Sequence, residues 1–157
     1  TAPDMGNSRL CLLVTLGLFA MVGSFHAQPP GLTWAQWFRI QHTQMANRLC
    51  NNAMRVVNSY RRQCKDRNTF LHIPFRNVVK VCTYRTITCR NGMPNCHRSN
   101  VRVSLTDCNL TRWYPNYNEC EYRQTRARKR FTIACNVSSP RDYPRYPLVP
   151  VHLDPIF

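Results

Sequence analysis

Apolar residues recur at helical spacing through the first stretch after residue 28 and at every second position through much of the remainder. Thr33-Trp34-Ala35-Gln36 places a hydroxyl at a helix cap with Gln three residues later, the pattern of a capping box. The helix it opens carries Trp34, Phe38 and Met45 near one face, and His42, four residues after Phe38, borders that stripe. A second helix is predicted over residues 51–62 with Met54, Val57 and Tyr60 inward. A third, shorter one starts at Pro74 and carries Phe75, Val78 and Val79. Beyond Cys82 the period changes to two. Val101, Val103 and Leu105 alternate with polar residues, as do Phe131, Ile133 and Cys135. Residues 146–153, rich in Pro and Val, suit an edge or bent strand. The segments 112–118 and 138–145, each with proline, are expected as loops. Helices first and antiparallel strands later indicate an α+β domain.

The first 27 residues stand apart from this pattern. Arg9 precedes a thirteen-residue apolar run over residues 10–22, followed by Gly23, Ser24 and Ala27. A run of that length falls short of the ~20 residues that span a bilayer. A positive flank, a short apolar run and small residues describe a secretory signal peptide. Residues 1–27 are therefore expected to be a leader cut after Ala27, with a cut near Ser24 as the alternative, and residues 28–157 to be one domain. Secretion agrees with the cysteines. Eight remain after Cys11 is set aside, and an even set in an exported chain reads as four disulfides, with 105 possible connectivities. Zinc is disfavoured because no Cys-x-x-Cys pair occurs.

Charge narrows the partners. The formal net charge is +15, and residues 28–157 keep 21 of the 22 basic side chains, eighteen of them Arg. Arginine's planar fork binds phosphate and sulfate bidentately, and such a field attracts polyanions. RNA, heparan-type glycans and anionic membrane surfaces are the candidate partners. Asn109-Leu110-Thr111 and Asn136-Val137-Ser138 are glycosylation sequons.

The candidate chemistry lies in three distant stretches: Gln41-His42, Cys64-Lys65-Asp66-Arg67-Asn68-Thr69-Phe70 and Val149-Pro150-Val151-His152-Leu153-Asp154. Histidine, with an unperturbed pKa of ~6.5, serves as base or acid near neutrality. Four histidines follow residue 28, and His72 and His97 are read as structural. His152 differs, because Asp154 two residues later shares its face of an extended strand and can hold the imidazole.

These three segments, in this order and with eight cysteines, resemble the pancreatic-type (RNase A) ribonuclease superfamily over essentially all of residues 28–157. Pro29-Pro30, Trp34-Ala35-Gln36-Trp37-Phe38, Asn77-Val78-Val79 and Cys108-Asn109-Leu110-Thr111 are similar to its eosinophil-associated branch. The resemblance implies three helices packed on a bent antiparallel sheet. It implies the bridges Cys50–Cys108, Cys64–Cys120, Cys82–Cys135 and Cys89–Cys96. It also implies roles: His42 as general base, His152 as general acid and Lys65 against the transition-state phosphoryl oxygens. Gln41 would donate to phosphate, Thr69 would read a pyrimidine, and Asn95 would contact the base after the scissile bond. Asp154 would orient His152, and the Leu153 backbone would meet phosphate. Met93 and Leu153 depart from the digestive relatives, which carry a glutamine and an aromatic residue there.

The expected function is thus a secreted, monomeric endoribonuclease that uses no metal or cofactor. It would cut on the 3′ side of pyrimidines through a 2′,3′-cyclic phosphate, in the context of host defence. The alternative is a cationic membrane- or glycan-binding protein with antimicrobial or immune-signalling action, for which ribonuclease activity is secondary.

Overall fold

The computed structural model describes residues 28–154, so the expected leader over residues 1–27 lies outside the described residues. The first helix, α1 (Trp34–Phe38), is capped as the sequence predicts. Thr33 Oγ1 accepts from the Gln36 amide at 3.1 Å, and Gln36 Oε1 accepts from the Thr33 amide at 2.8 Å. The Thr33 hydroxyl also donates to Asp142, whose other oxygen accepts from the Ser139 amide, so the 138–145 loop is tied to the helix start. Past Phe38 the helix widens into a π-helical turn over Arg39–Thr43. His42 lies in this turn and is buried at 6% exposure.

Helix α2 (Cys50–Arg61) ends at Arg62, a non-glycine residue in the left-handed region with φ 58°. Helix α3 (Phe75–Val81) starts after Pro74, whose fixed φ and missing N–H suit a helix entrance. Seven strands complete the chain: β1 (Arg67–Leu71), β2 (Thr86–Ile87), β3 (Cys96–Arg98), β4 (Val103–Arg112), β5 (Glu121–Lys129), β6 (Thr132–Val137) and β7 (Leu148–Leu153). The pairing is antiparallel throughout and falls into a three-stranded sheet, β1-β4-β5, and a four-stranded sheet, β2-β3-β6-β7. The chain passes between the two sheets after β1, after β3 and after β5, the last time across only Arg130 and Phe131. Strand β7 is an edge, and its register with β6 shifts between Ala134 and Cys135, next to Pro150.

Two large apolar clusters fill most of the described interior, beside a small third one of Cys89, Cys96 and Ala134. One joins Phe38, Val78, Leu105, Phe131 and Ile133. The other joins Trp37, Met54, Val57, Phe70 and Tyr122 around two of the disulfides. All four bridges pair as the resemblance implies. Three of them close separations of 53 to 58 residues, each worth roughly 4 kcal/mol by the loop-entropy model.

Three expectations about facing are corrected. Trp34 is 43% exposed because it stands at the first position of α1, facing an open cleft. Tyr60 is also 43% exposed, with its ring lying 5.8 Å from that of Trp37 at the surface instead of entering the core. Val101 is 65% exposed and precedes β4, so the inward alternation starts at Val103.

Candidate active site

Helix α1 lies against β7, and the π-helical turn lies against β1. Those two contacts bring the three sequence segments to one open cleft of about 770 Å³, lined among others by Gln41, His42, Lys65, Thr69, Asn95 and His152.

His42 Nδ1 lies 2.8 Å from the backbone carbonyl of Thr69. A carbonyl only accepts, so Nδ1 holds the proton and Nε2 is left as the basic nitrogen of the neutral ring. Burial pushes the His42 pKa well below its ordinary 6.5, with the Lys65 charge and then His152 adding to the effect; the Thr69 contact opposes it. The ring packs 4.9 Å from that of Phe38, so the same apolar stripe that buries α1 also holds the imidazole.

Lys65 is set by a web of neutral groups. Its ammonium donates to Gln41 Oε1 and Asn68 Oδ1, both at 2.9 Å, and the Asn68 amide donates to the Gln41 carbonyl at 2.7 Å. The Gln41 oxygen is thereby occupied, and its amide nitrogen is the end left to donate to an anion. The Lys65 backbone is clamped by Asn58 Oδ1, which accepts from its amide at 3.0 Å, and by the Tyr122 hydroxyl, which donates to its carbonyl at 2.6 Å. Burial, with the neighbouring Arg61 charge second, lowers the Lys65 pKa to about 7. An ammonium with no carboxylate partner among the described residues is primed to take an anionic one.

His152 comes from β7, opposite Ala134, with its side chain 60% exposed and Nε2 3.5 Å from Asp154 Oδ1. Asp154 is itself buried, and its Oδ2 accepts from the Arg90 amide at 2.9 Å. The carboxylate is therefore fixed before it touches the histidine. Leu153, half-buried, lines the cleft between them.

Thr69 sits on β1 opposite Asp107 of β4, and its hydroxyl donates to the Asp107 carboxylate. Arg67 lies 3.7 Å from the other carboxylate oxygen. At the far end Asn95 donates from Nδ2 to the Cys135 carbonyl at 3.3 Å and to Asn136 Oδ1 at 3.0 Å. The two remaining histidines are held elsewhere, as expected. His72 Nε2 is 2.7 Å from the Thr106 hydroxyl and His97 Nδ1 is 2.8 Å from the Tyr84 carbonyl, and neither lines this cleft.

Reading the sequence missed Asp107, Arg67 and Arg61. For Asp107 a signal existed: Val103, Leu105 and Asp107 alternate, so an acid falls on the inward face of an amphipathic strand, where a charge needs a partner. Arg61 and Arg67 carried none, being two arginines among many.

A neutral imidazole, an imidazole beside a carboxylate and a buried ammonium around one cleft can take a proton, give one and hold an oxyanion between. The family model of pancreatic ribonuclease matches residues 33–154, from the capping threonine of α1 to the carboxylate beside His152, and the chain belongs to the pancreatic ribonuclease family.

Proposed function

We propose that this chain is a secreted endoribonuclease that cuts RNA after pyrimidines using its own side chains alone. Family membership implies pancreatic-type ribonuclease activity with RNA as substrate. The convergence of His42, Lys65 and His152 on one cleft carries the finer reading. His42 Nε2 takes the proton of the ribose 2′-hydroxyl, and the freed oxygen attacks phosphorus. The P–O5′ bond breaks as His152 protonates the leaving oxygen, giving a 2′,3′-cyclic phosphate. Hydrolysis reverses the roles, with His152 activating water and His42 returning the proton. Lys65 and the Gln41 amide hold the phosphoryl oxygens as negative charge builds on them. Thr69 meets the pyrimidine, Asn95 the following base, the Leu153 backbone a phosphate, and Asp154 orients His152.

The four disulfides support an exported protein, and no helix among the described residues is long and apolar enough to cross a membrane. The similarity to the eosinophil-associated branch supports a host-defence setting. The test is cleavage of yeast tRNA in EDTA by wild type, His42→Ala and His152→Ala. Each variant should lose at least ~10²-fold, and near-normal cleavage by either removes that histidine from the mechanism.

A second reading rests on a separate hollow lined only by Arg98, Arg102, Arg128, Lys129 and Arg130, at the junction of the two sheets. Five cations without an acid among them favour a polyanion such as a sulfated glycan or an anionic lipid surface, which would concentrate the enzyme at cell surfaces.

A further inference from the structure

Asn136 stands in a sequon, on an exposed position of β6, and it also lines the catalytic cleft. Ala134, directly opposite His152 on β7, lines the cleft as well, and residues two apart on a strand share a face. The Asn136 side chain therefore leaves the sheet about 7 Å along the strand from the level of His152. Its orientation is fixed by Asn95, whose Nδ2 donates to Asn136 Oδ1 at 3.0 Å. That contact occupies the oxygen and turns the amide nitrogen, the atom that accepts a sugar, away from Asn95.

The chemistry gives this end of the cleft a direction. His152 protonates the leaving 5′-oxygen, so the RNA attached to that oxygen runs past His152. Asn91, Asn95 and Asn136 are polar groups lining the cleft from the loop before β3 and from β6, whereas Thr69, Asp107 and Arg67 lie on β1 and β4. We propose that Asn136 carries an N-linked glycan that covers the leaving-group end of the cleft, slowing cleavage of long RNA while sparing small substrates. The proposal rests on the ribonuclease reading above and on passage through the secretory route. The donor is a lipid-linked diphospho-oligosaccharide. Asn136 Nδ2 bonds to C1 of its first sugar, the C1–O bond to the diphosphate breaks, the lipid diphosphate departs and the amide nitrogen loses one proton. Transfer to the growing chain precedes folding, so the burial of Ser138 in the finished fold is no obstacle.

The test uses the full chain secreted from eukaryotic cells, as wild type, Ser138→Ala, which breaks the sequon and leaves Asn136, and Ser138→Thr, which keeps it. Peptide mass mapping should find a glycan at Asn136 in wild type and Ser138→Thr and none in Ser138→Ala. Ser138→Ala should show a several-fold lower KM for polycytidylate than the other two, with all three hydrolysing cytidine 2′,3′-cyclic phosphate alike. The proposal is overturned by a bare Asn136 in a wild-type protein glycosylated at Asn109. It is equally overturned by a glycan whose removal leaves the polymer KM unchanged, or by both substrates shifting together in Ser138→Ala, which marks a structural role for the serine. Failure of the ribonuclease reading looks different: no form, including protein refolded without glycan, would hydrolyse the cyclic phosphate.

Discussion

Lys65 is the group whose state should limit this enzyme above neutrality. Among the described residues its ammonium contacts two amide oxygens and no carboxylate, and burial with the Arg61 charge lowers its pKa to about 7 from 10.5. Only the ammonium can stabilise the phosphoryl oxygens, so kcat/KM should fall about tenfold for each pH unit above about 7. In the proposed mechanism His152 must also be protonated to act on RNA, which would blur the limb. A uridine 3′-(4-nitrophenyl phosphate) removes that requirement, because its phenolate leaves without a proton. With this substrate the alkaline limb should persist in wild type and in His152→Ala alike. In kcat, which reports the complex, the limb should lie higher, since a bound phosphate favours the ammonium. Arg61→Gln removes the second cause of the depression, so its limb should move upward without returning to 10.5, because burial is the larger cause. The reasoning is refuted if the aryl substrate shows no alkaline fall up to about pH 9, or if Arg61→Gln leaves the limb in place.

Three further outcomes follow from other groups. The Asp107 carboxylate holds the Thr69 hydroxyl proton, and in the proposed reading the hydroxyl oxygen would then accept from uracil N3–H. Asp107→Ala should therefore cost uridine dinucleotides about tenfold, on the order of 1.4 kcal/mol, and cytidine dinucleotides far less; equal losses on both would discard this role. Burial lowers the His42 pKa below 6.5, so between that depressed value and 6.5 the unfolded chain binds a proton that the folded chain does not. Stability from this group is thus full above about 6.5 and lost as pH falls through that window, and urea midpoints of wild type should drop more steeply in acid than those of His42→Gln. Parallel curves would show that the imidazole is not buried in its neutral form. Replacing Arg102, Arg128 and Arg130 with Ser should lower the salt needed to elute the protein from heparin while leaving dinucleotide cleavage unchanged, because those residues line a hollow separate from the cleft. Unchanged elution would remove that hollow from polyanion binding.

Much of this protein was legible along the chain because it depends on local order. The capping box at Thr33 and Gln36, the helical spacing of Met54 and Val57, Pro74 before α3 and the period-two run through Val103 and Leu105 each reflect the geometry of one element. His152 and Asp154 could be paired by eye for the same reason, since a strand puts both on one face. What the sequence left open was everything that depends on which surface covers which. Trp34 and Tyr60 match a buried pattern, yet both are 43% exposed in the assembled fold. The π-helical turn that holds the buried His42 leaves no mark in hydrophobic spacing. The Asp107 partner of Thr69 is 38 residues away, and the Asn58–Tyr122 clamp on Lys65 spans 64. Such contacts form only once β4 pairs with β1 and α2 docks on β5, because a side chain's partner, burial and pKa belong to the assembled surfaces and not to its own segment. The residue types for the chemistry were therefore set by the sequence, while the depressed pKa values of His42 and Lys65 came from the fold that buries them.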